Sequence, residues 1–153
     1  MSAINADEEV MAFFPQTYDQ EQTAAFIARM QQLYLEKGYC YFAVETLSDR
    51  EFIGFTGLAW QTYEAPFTPC VDIGWRLATK AWGNGYATEG AQRCLDYAFK
   101  TLLLESVNAV APISNIRSVS VMKKIGMEPS CYFRHPLLME HPLLVDCVCY
   151  STI

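Results

Sequence analysis

The chain has 153 residues, 52% of them hydrophobic, which is the size of one ordinary domain with a sizeable core. Its formal net charge of −6 argues against a nucleic-acid-binding surface. No apolar run approaches the ~20 residues that a bilayer crossing needs. Residues 1–9 are acidic and lack the basic start and apolar block of a secretory signal. We therefore expect a single domain over residues 1–153, located in the cytoplasm, with neither a nucleic-acid nor a membrane partner.

The six cysteines form no C-x-x-C pair. Cys147 and Cys149 would place both thiols on one side of a strand, which makes a poor zinc site without further ligands. Buried free thiols are favoured over a disulfide framework. We expect no bound metal.

Hydrophobic periodicity predicts helices and strands along the whole chain. The first helix has a cap signal at Thr17 and Asp19 and ends at Gly38. Segments rich in aromatic and β-branched residues predict strands, and the polar turn over residues 47–50 joins the first two into an antiparallel pair. No repeat or linker divides the chain. The predicted elements are a helix over residues 19–37, strands over 39–46, 51–60 and 70–77, a helix over about 86–101, a strand over 106–111, a helix over about 115–126, and strands over 131–134 and 143–151.

A glycine-containing loop, Trp82-Gly83-Asn84-Gly85-Tyr86-Ala87, lies between the third predicted strand and the second predicted helix. In this arrangement backbone N–H groups converge on an anion, and the helix N-terminus adds a favourable field. Gly83 and Gly85 permit unusual φ values and a close approach of the ligand. The loop is neither a Walker loop nor G-x-G-x-x-G, because no G-K-[ST] follows and Thr88 replaces the third glycine. Alone, it predicts a phosphate site and a plain helix start about equally.

The order of motifs between residues 71 and 127 is more specific. Val-Asp-Ile-Gly-Trp-Arg-Leu is followed by Ala-Trp-Gly-Asn-Gly-Tyr-Ala-Thr-Glu-Gly, by Asn115-x-x-Ser118, and by Lys-Ile-Gly-Met. This order resembles the GNAT acetyltransferases, specifically their RimJ/RimL-type branch, and the resemblance covers nearly the whole chain. It implies an α/β (α+β) fold in which a mixed, largely antiparallel sheet is flanked by helices and splays open at the third strand of this chain.

The resemblance also implies an activity and a co-substrate. The chain would transfer an acetyl group from acetyl-CoA directly to a primary amine, on a small molecule or a protein N-terminus. Acetyl-CoA would enter the splay of the sheet. The implied cofactor contacts are Trp75, Arg76 and Leu77 along the pantetheine arm, Gly83, Asn84, Gly85, Tyr86, Ala87 and Thr88 around the pyrophosphate, and Asn115 at the later helix.

The chain departs from the family pattern in two places. Trp82 stands where the loop usually opens with Arg or Gln. The family's usual first strand, part of roughly twenty residues before the segment matching residues 2–15, is lacking, and an edge strand from another chain could replace it. That option favours a homodimer; a naturally short chain or a misplaced start codon are the alternatives.

Asp72 and Ser118 are the implied catalytic residues. Asp72 matches an acidic residue of relatives and could take the amine proton through water, although a carboxylate paired with Arg76 or simply solvated explains it equally well. Many GNAT enzymes carry a tyrosine at the position of Met122, which cannot donate a proton. Ser118 matches the serine of the branch and lies one turn after Asn115, so it could relay a proton through water. A plain helix serine is nearly as good an interpretation.

Other polar residues have structural interpretations. Glu89 is expected to stabilise the start of its helix, and His135 and His141 each precede a proline and are expected in turns. Two further functions stay open: a non-catalytic acyl-CoA-binding or interaction module on the same fold, and a nucleotide or dinucleotide enzyme.

Overall fold

The computed structural model describes residues 1–152, which form one six-stranded sheet flanked by helices. The prediction of a mixed, largely antiparallel sheet is confirmed. In chain order the elements are α1 (Ser2–Asn5), α2 (Gln20–Lys37), β1 (Tyr41–Glu45), β2 (Phe52–Gln61), β3 (Cys70–Leu77), a 3-10 turn (Thr79–Ala81), α3 (Tyr86–Lys100), β4 (Asn108–Pro112), α4 (Ile116–Lys124), β5 (Glu128–Arg134), a second 3-10 turn (Pro136–Leu138) and β6 (Asp146–Ser151).

The boundaries of α2 follow from local chemistry. The Asp19 carboxylate accepts a hydrogen bond from the Gln22 N–H at 2.8 Å, and the Gln22 side chain accepts one from the Asp19 N–H at 2.9 Å. This reciprocal pair satisfies two N–H groups at the helix start. Gly38 ends the helix with a φ of 79°, a left-handed conformation that glycine adopts at low cost. The predicted first helix is confirmed within one residue.

The sheet opens beside β3. The strand order is β1-β2-β3-β4-β6-β5, and every neighbouring pair is antiparallel except β3 and β4. β2 pairs with β3 over eight residue pairs, whereas β3 and β4 meet only at Asp72 and Asn108. Beyond Asp72, the edge of β3 that faces β4 is unpaired. This is the splay that the resemblance implies.

The main core lies between α3 and the sheet. Ala91, Leu95 and Ala98 on α3 are at most 4% exposed and pack with Leu58 and Ile73 of the strands. Burial of this apolar face is what holds α3, and hence its N-terminus, against the open part of the sheet.

The end of the chain corrects two predictions. The fifth strand begins at Glu128, so its predicted start at residue 131 is wrong. The last strand begins at Asp146, so its predicted start at residue 143 is wrong. Pro142 fixes its own φ and lacks an N–H, and the N–H groups of Leu144 and Val145 both donate to the His141 carbonyl, at 2.9 and 3.0 Å. Residues 143–145 therefore form a turn. The sequence pattern also gave no sign of α1.

Candidate active site

A cavity of about 1240 Å³ lies where the sheet opens. It is bounded by β3, by the first turns of α3 and α4, and by residues 9–14. The sequence-predicted site residues on its wall are Asp72, Trp75, Arg76, Leu77, Gly83, Gly85, Tyr86, Ala87, Thr88, Asn115 and Ser118. The structure therefore brings together side chains from three separate segments of the chain.

Residues 83–88, which we call the cradle, surround the start of α3. Gly83 and Gly85 have φ values of 75° and 82°, which non-glycine residues rarely adopt. The six backbone N–H groups from Gly83 to Thr88 donate to no acceptor within residues 1–152, whereas the next one, of Glu89, donates to the Gly85 carbonyl at 3.0 Å. A run of unsatisfied N–H groups at a helix N-terminus fits an anion such as a pyrophosphate.

Asn84 has a different position from its neighbours. Its side-chain amide donates to the carbonyls of Ala81 and Trp82, at 3.3 and 3.1 Å, and it does not line the cavity. Its side chain fixes the turn, and a contact with the cofactor through its backbone stays a prediction.

Trp82 and Arg117 form the rim beside the cradle. The Trp82 indole N–H donates to the Leu77 carbonyl at 2.9 Å, which fixes the ring next to the end of β3. The guanidinium carbon of Arg117 lies 4.2 Å from the centre of that ring. Arg117 is exposed, lines the cavity, and takes part in no ion pair among the described residues. No sequence motif includes Arg117, because only the fold brings α4 to Trp82.

Asn115 and Ser118 lie at the start of α4. The Asn115 carbonyl oxygen accepts a hydrogen bond from the Ser118 N–H at 3.2 Å, so this side chain caps the helix. The Asn115 amide N–H groups and the Ser118 hydroxyl have no hydrogen-bond partner within the described part of the chain, and both residues face the cavity. Met122 is 1% exposed and belongs to the core.

Asp72 is held by two uncharged donors. The Tyr41 hydroxyl donates to Oδ1 at 3.1 Å, and the Gln61 amide donates to Oδ2 at 2.9 Å. Burial raises the pKa of Asp72 to about 7, although both hydrogen bonds act in the opposite direction. Asp72 lines the cavity. Both structural interpretations of Asp72 are therefore wrong: it is not paired with Arg76, and it is not freely solvated.

Tyr41 reaches Asp72 because residue 74 is glycine. A Cβ built at Gly74 would lie 2.9 Å from the Tyr41 hydroxyl oxygen, so any side chain there would push the ring away. Burial and the charge of Asp72 raise the pKa of Tyr41 well above its usual value. Nothing in the sequence pattern indicated that Tyr41 and Gln61 contribute to the site.

Trp75, Arg76 and Leu77 flank the unpaired edge of β3. The Trp75 ring packs against the main core and the Leu77 side chain is buried in a small cluster with Ile53. Arg76 points to the other face of the sheet and is 7% exposed. Its Nη1 donates to the side-chain oxygen Oδ1 of Asn5 at 2.8 Å. Along the open edge these residues offer the backbone groups of Trp75 and the N–H of Leu77. The Leu77 carbonyl already accepts from Trp82, and the Arg76 backbone faces β2, because the Ala78 N–H two residues further on donates to the Ile53 carbonyl of that strand.

His135 closes the cavity opposite the cradle. Its ring lies 4.4 Å from that of Tyr63, and its Nδ1 accepts a hydrogen bond from the Leu137 N–H at 3.2 Å. Burial lowers its pKa. The imidazole caps the 3-10 turn Pro136–Leu138, in agreement with its predicted place in a turn.

Metal and membrane features were searched over residues 1–152. No group of three or more His, Cys, Asp and Glu side chains there could hold a metal ion, and all six cysteines are free. None of the helices in that range is long and apolar enough to cross a membrane.

A sheet that opens beside its third strand, with an anion cradle on the following helix, is the framework of an acyltransferase that acts on amines. The family model described as "Acetyltransferase (GNAT) domain" matches residues 1–128. The chain therefore belongs to the GNAT acetyltransferase family.

Individual relatives agree with this assignment. YkkB, an uncharacterized protein of Bacillus subtilis (strain 168), is 34% identical over 126 residues, which cover 81% of this chain and 71% of that protein. The crystal structure of a GNAT-family acetyltransferase from Bacillus anthracis superposes with a TM-score of 0.80 at 25% identity, covering 100% of this chain and 86% of the other. The spermidine N-acetyltransferase of Vibrio cholerae, solved with CoA and spermine, has the same fold, with a TM-score of 0.73 at 16% identity and coverage of 98% and 85%.

Proposed function

We propose that this chain transfers the acetyl group of acetyl-CoA directly to a primary amine, carried by a small molecule or by a protein N-terminus. The observation that carries the proposal is that one cavity brings together six free N–H groups, an unpaired strand edge and a half-buried carboxylate. These three features correspond to a site for the phosphates, a site for an extended arm and a base for the amine.

The residues present fit acetyl-CoA. The cradle would hold the pyrophosphate through the N–H groups of residues 83–88, with added positive charge from Arg117. The pantetheine arm would run along residues 75–77 and pair with the free backbone groups of Trp75 and the N–H of Leu77, and the free amide N–H groups of Asn115 would contact the cofactor nearby. When bound, acetyl-CoA supplies an activated thioester. The crystallised CoA complex of the Vibrio cholerae relative supports the same choice of co-substrate.

Asp72 is the proposed base. An amine attacks only in its neutral form, so a group that accepts its proton near neutral pH assists the reaction. With a pKa of about 7, Asp72 is charged at and above neutral pH and can take a proton directly or through water. Tyr41 and Gln61 are positioning residues, because each fixes one carboxylate oxygen. Activity should therefore rise with pH through about 7.

Ser118 is the proposed relay for the proton that the departing thiolate needs. Its hydroxyl faces the cavity one turn into α4 and is not engaged elsewhere within residues 1–152. A serine hydroxyl is a weak acid, so it would pass on a proton from water rather than supply its own. Ser118→Ala is expected to lower kcat and leave the Kd for acetyl-CoA unchanged.

The test is a thiol-release assay with acetyl-CoA and a panel of small amines and peptides with free N-termini. We expect turnover of at least one acceptor class. Asp72→Asn should lower kcat about 100-fold or more and leave the Kd for acetyl-CoA unchanged, in line with the usual size of acid–base contributions. Tight binding of acetyl-CoA without turnover across the panel would favour a non-catalytic acyl-CoA-binding module. A melting temperature raised by NAD or ATP but not by CoA would favour a nucleotide enzyme.

The finer predictions belong to the same proposal. We place the chain in the RimJ/RimL-type branch, in the cytoplasm, and in a homodimer. β1 is the outermost strand at one end of the sheet and has a neighbour on one side only, which supports an added strand from another chain. Light scattering of the purified protein tests the dimer, and a monomeric mass at micromolar concentration would reject it.

A further inference from the structure

Arg76 is a buried cation that lines the cavity without a carboxylate partner. Its side chain is 7% exposed, and it takes part in none of the ion pairs formed by residues 1–152. Burial lowers its pKa, because the charged form loses its hydration. A cation in such a place needs hydrogen bonds or an opposite charge to replace the water it has lost.

The protein groups that contact Arg76 are neutral and leave one donor free. Nη1 donates to the side-chain oxygen Oδ1 of Asn5 at 2.8 Å. The side-chain amide of Asn5 in turn donates to the Thr23 hydroxyl at 3.1 Å. The nearby Tyr18 side chain raises the pKa of Arg76, against the effect of burial. Nε has no partner among the described residues. This Nε–H belongs to the side-on fork with which an arginine binds a carboxylate.

Aromatic rings cover the guanidinium and restrict where an anion can approach. The Phe14 ring centre lies 4.1 Å from the guanidinium carbon, and the next rings lie between 5.2 and 5.8 Å from it, those of Phe55, Tyr18 and Phe26. Phe14 belongs to the segment between α1 and α2 and is 37% exposed, so it is the ring that can move aside. Approach in the plane of the guanidinium suits the flat shape of a carboxylate.

Arg76 and Asp72 lie on the same face of β3, with Tyr41 beside both. The pKa of Tyr41 is raised by the charge of Asp72 and lowered by that of Arg76, so both charges act on this ring. Four residues of extended strand separate their Cα atoms by ~13 Å. One cavity therefore presents a negative group where the amine would react and, farther along the strand, a positive group with a free donor.

We propose that the acceptor carries a carboxylate, which binds the free Nε edge of Arg76 while the amine faces Asp72. The acceptor is thus an amino-carboxylate in which several bonds separate the two groups, such as an ω-amino acid or a short peptide. The inference rests on the proposed function, because it requires that Asp72 receives the amine.

The first test compares acceptors on the wild-type protein. A series of ω-amino acids with about four to ten carbons is matched by the corresponding ω-amino amides, which differ only in the charge of the far end. At the best chain length, kcat/KM for the acid should exceed that for the amide about tenfold or more, the effect of a hydrogen bond to a charged group. Equal values at every length would overturn the inference and leave the proposed function standing. No turnover of either series would count against both.

The second test assigns the preference to Arg76. Arg76→Gln should lower kcat/KM for the acid about tenfold more than for the amide, and Arg76→Lys, which keeps the charge but not the fork, should restore part of that ratio. Arg29→Gln is the matched control, because Arg29 is exposed, lies 5.8 Å from the Phe26 ring and does not line the cavity. It should keep the wild-type ratio. A folded Arg76→Gln protein with an unchanged acid preference overturns the assignment. If that variant does not fold, the wild-type and Arg76→Lys ratios decide.

Discussion

The Tyr41 hydroxyl donates a hydrogen bond to Asp72 across the sheet, with 3.1 Å between the two oxygens. The two residues lie on β1 and β3, which are separated by β2. Gly74 leaves the space that the tyrosine ring crosses. The hydrogen bond favours the charged carboxylate, and burial favours the neutral one. Because burial is the larger effect, the pKa of Asp72 lies near neutrality, where a base is useful.

Tyr41→Phe should shift the pH dependence of kcat. Without the hydroxyl, Asp72 loses a donor to its charged form, so its pKa rises further above about 7. The acidic limb of the kcat profile should move to higher pH by up to about one unit. The control is Tyr132→Phe, since Tyr132 is 69% exposed and does not line the cavity. A profile that stays in place in the Tyr41 variant would separate Tyr41 from the protonation of Asp72.

Asp72→Asn should also change how stability depends on pH. The pKa of Asp72 is about 7 in the folded protein, against about 3.9 in an unfolded chain, so between these values the folded state binds more protons. The stability that Asp72 contributes therefore falls as pH rises from about 4 to about 7, and Asn removes this loss.

Urea unfolding at pH 5 and pH 8 measures the effect. The free energy of unfolding of Asp72→Asn, relative to wild type, should be higher at pH 8 than at pH 5 by about 1–3 kcal/mol. Asp96→Asn is the control, because the hydrogen bond from Lys100 lowers the pKa of that half-buried carboxylate, so it stays charged at both pH values. Its difference from wild type should be the same at both pH values. An equal result for Asp72→Asn would mean that its pKa is not raised by folding.

The sequence predicted those features that depend on neighbouring residues. Capping by Asp19 and termination by Gly38 are local, and the structure agrees with both. The start of β6 was wrong for a local reason too, because the turn around Pro142 outweighs the apolar pattern that follows it. The cradle could be proposed as a phosphate site from the sequence alone, because its glycines and the helix that follows them are contiguous.

The rest of the site depends on pairs that are distant in the chain. Tyr41 and Asp72 are 31 positions apart, and Arg76 and Asn5 are 71 apart. Nothing in the local pattern around Tyr41 distinguishes a core aromatic from a donor to a carboxylate. Only the strand order, which places β1 two strands from β3, decides between them. The contact between Arg117 and Trp82 is of the same kind.

Gly85→Val should weaken the binding of acetyl-CoA. Gly85 has a φ of 82°, and a Cβ at this position would meet no protein atom within 4 Å, so the substitution strains the backbone and projects a side chain beside the free N–H groups. Gly38 is a close control, with a φ of 79°, equally open surroundings and a place at the far end of α2. Both valine variants should lose about 1–2 kcal/mol of stability.

Isothermal titration with acetyl-CoA separates the two glycines. Gly38→Val should keep the wild-type Kd, and Gly85→Val should raise it about tenfold or more, the change expected when anion-binding donors are displaced. Equal Kd values for both variants would show that the cradle does not bind the cofactor.

Arg117→Gln should weaken acetyl-CoA binding mainly at low salt. The guanidinium lies over the Trp82 ring beside the cradle, and Trp82 stands where the resemblance to the family implies an Arg or Gln. Arg117 would thus supply from α4 a positive charge next to the cradle. Removing an exposed charge near a phosphate should raise the Kd about three- to tenfold at low ionic strength, and less as salt screens the interaction.

Titrations over a range of salt concentrations measure this dependence. Arg93→Gln is the control, because Arg93 is an exposed arginine of α3 that does not line the cavity. It removes the same charge from the protein and should leave both the Kd and its salt dependence unchanged. If the two variants behave alike, the effect of Arg117 is one of net charge, and its contact with Trp82 only packs α4 against the loop. If only Arg117→Gln loses affinity, the positive charge that binds the cofactor comes from a helix that follows the cradle in the chain, and the tryptophan ring is what holds that charge in place.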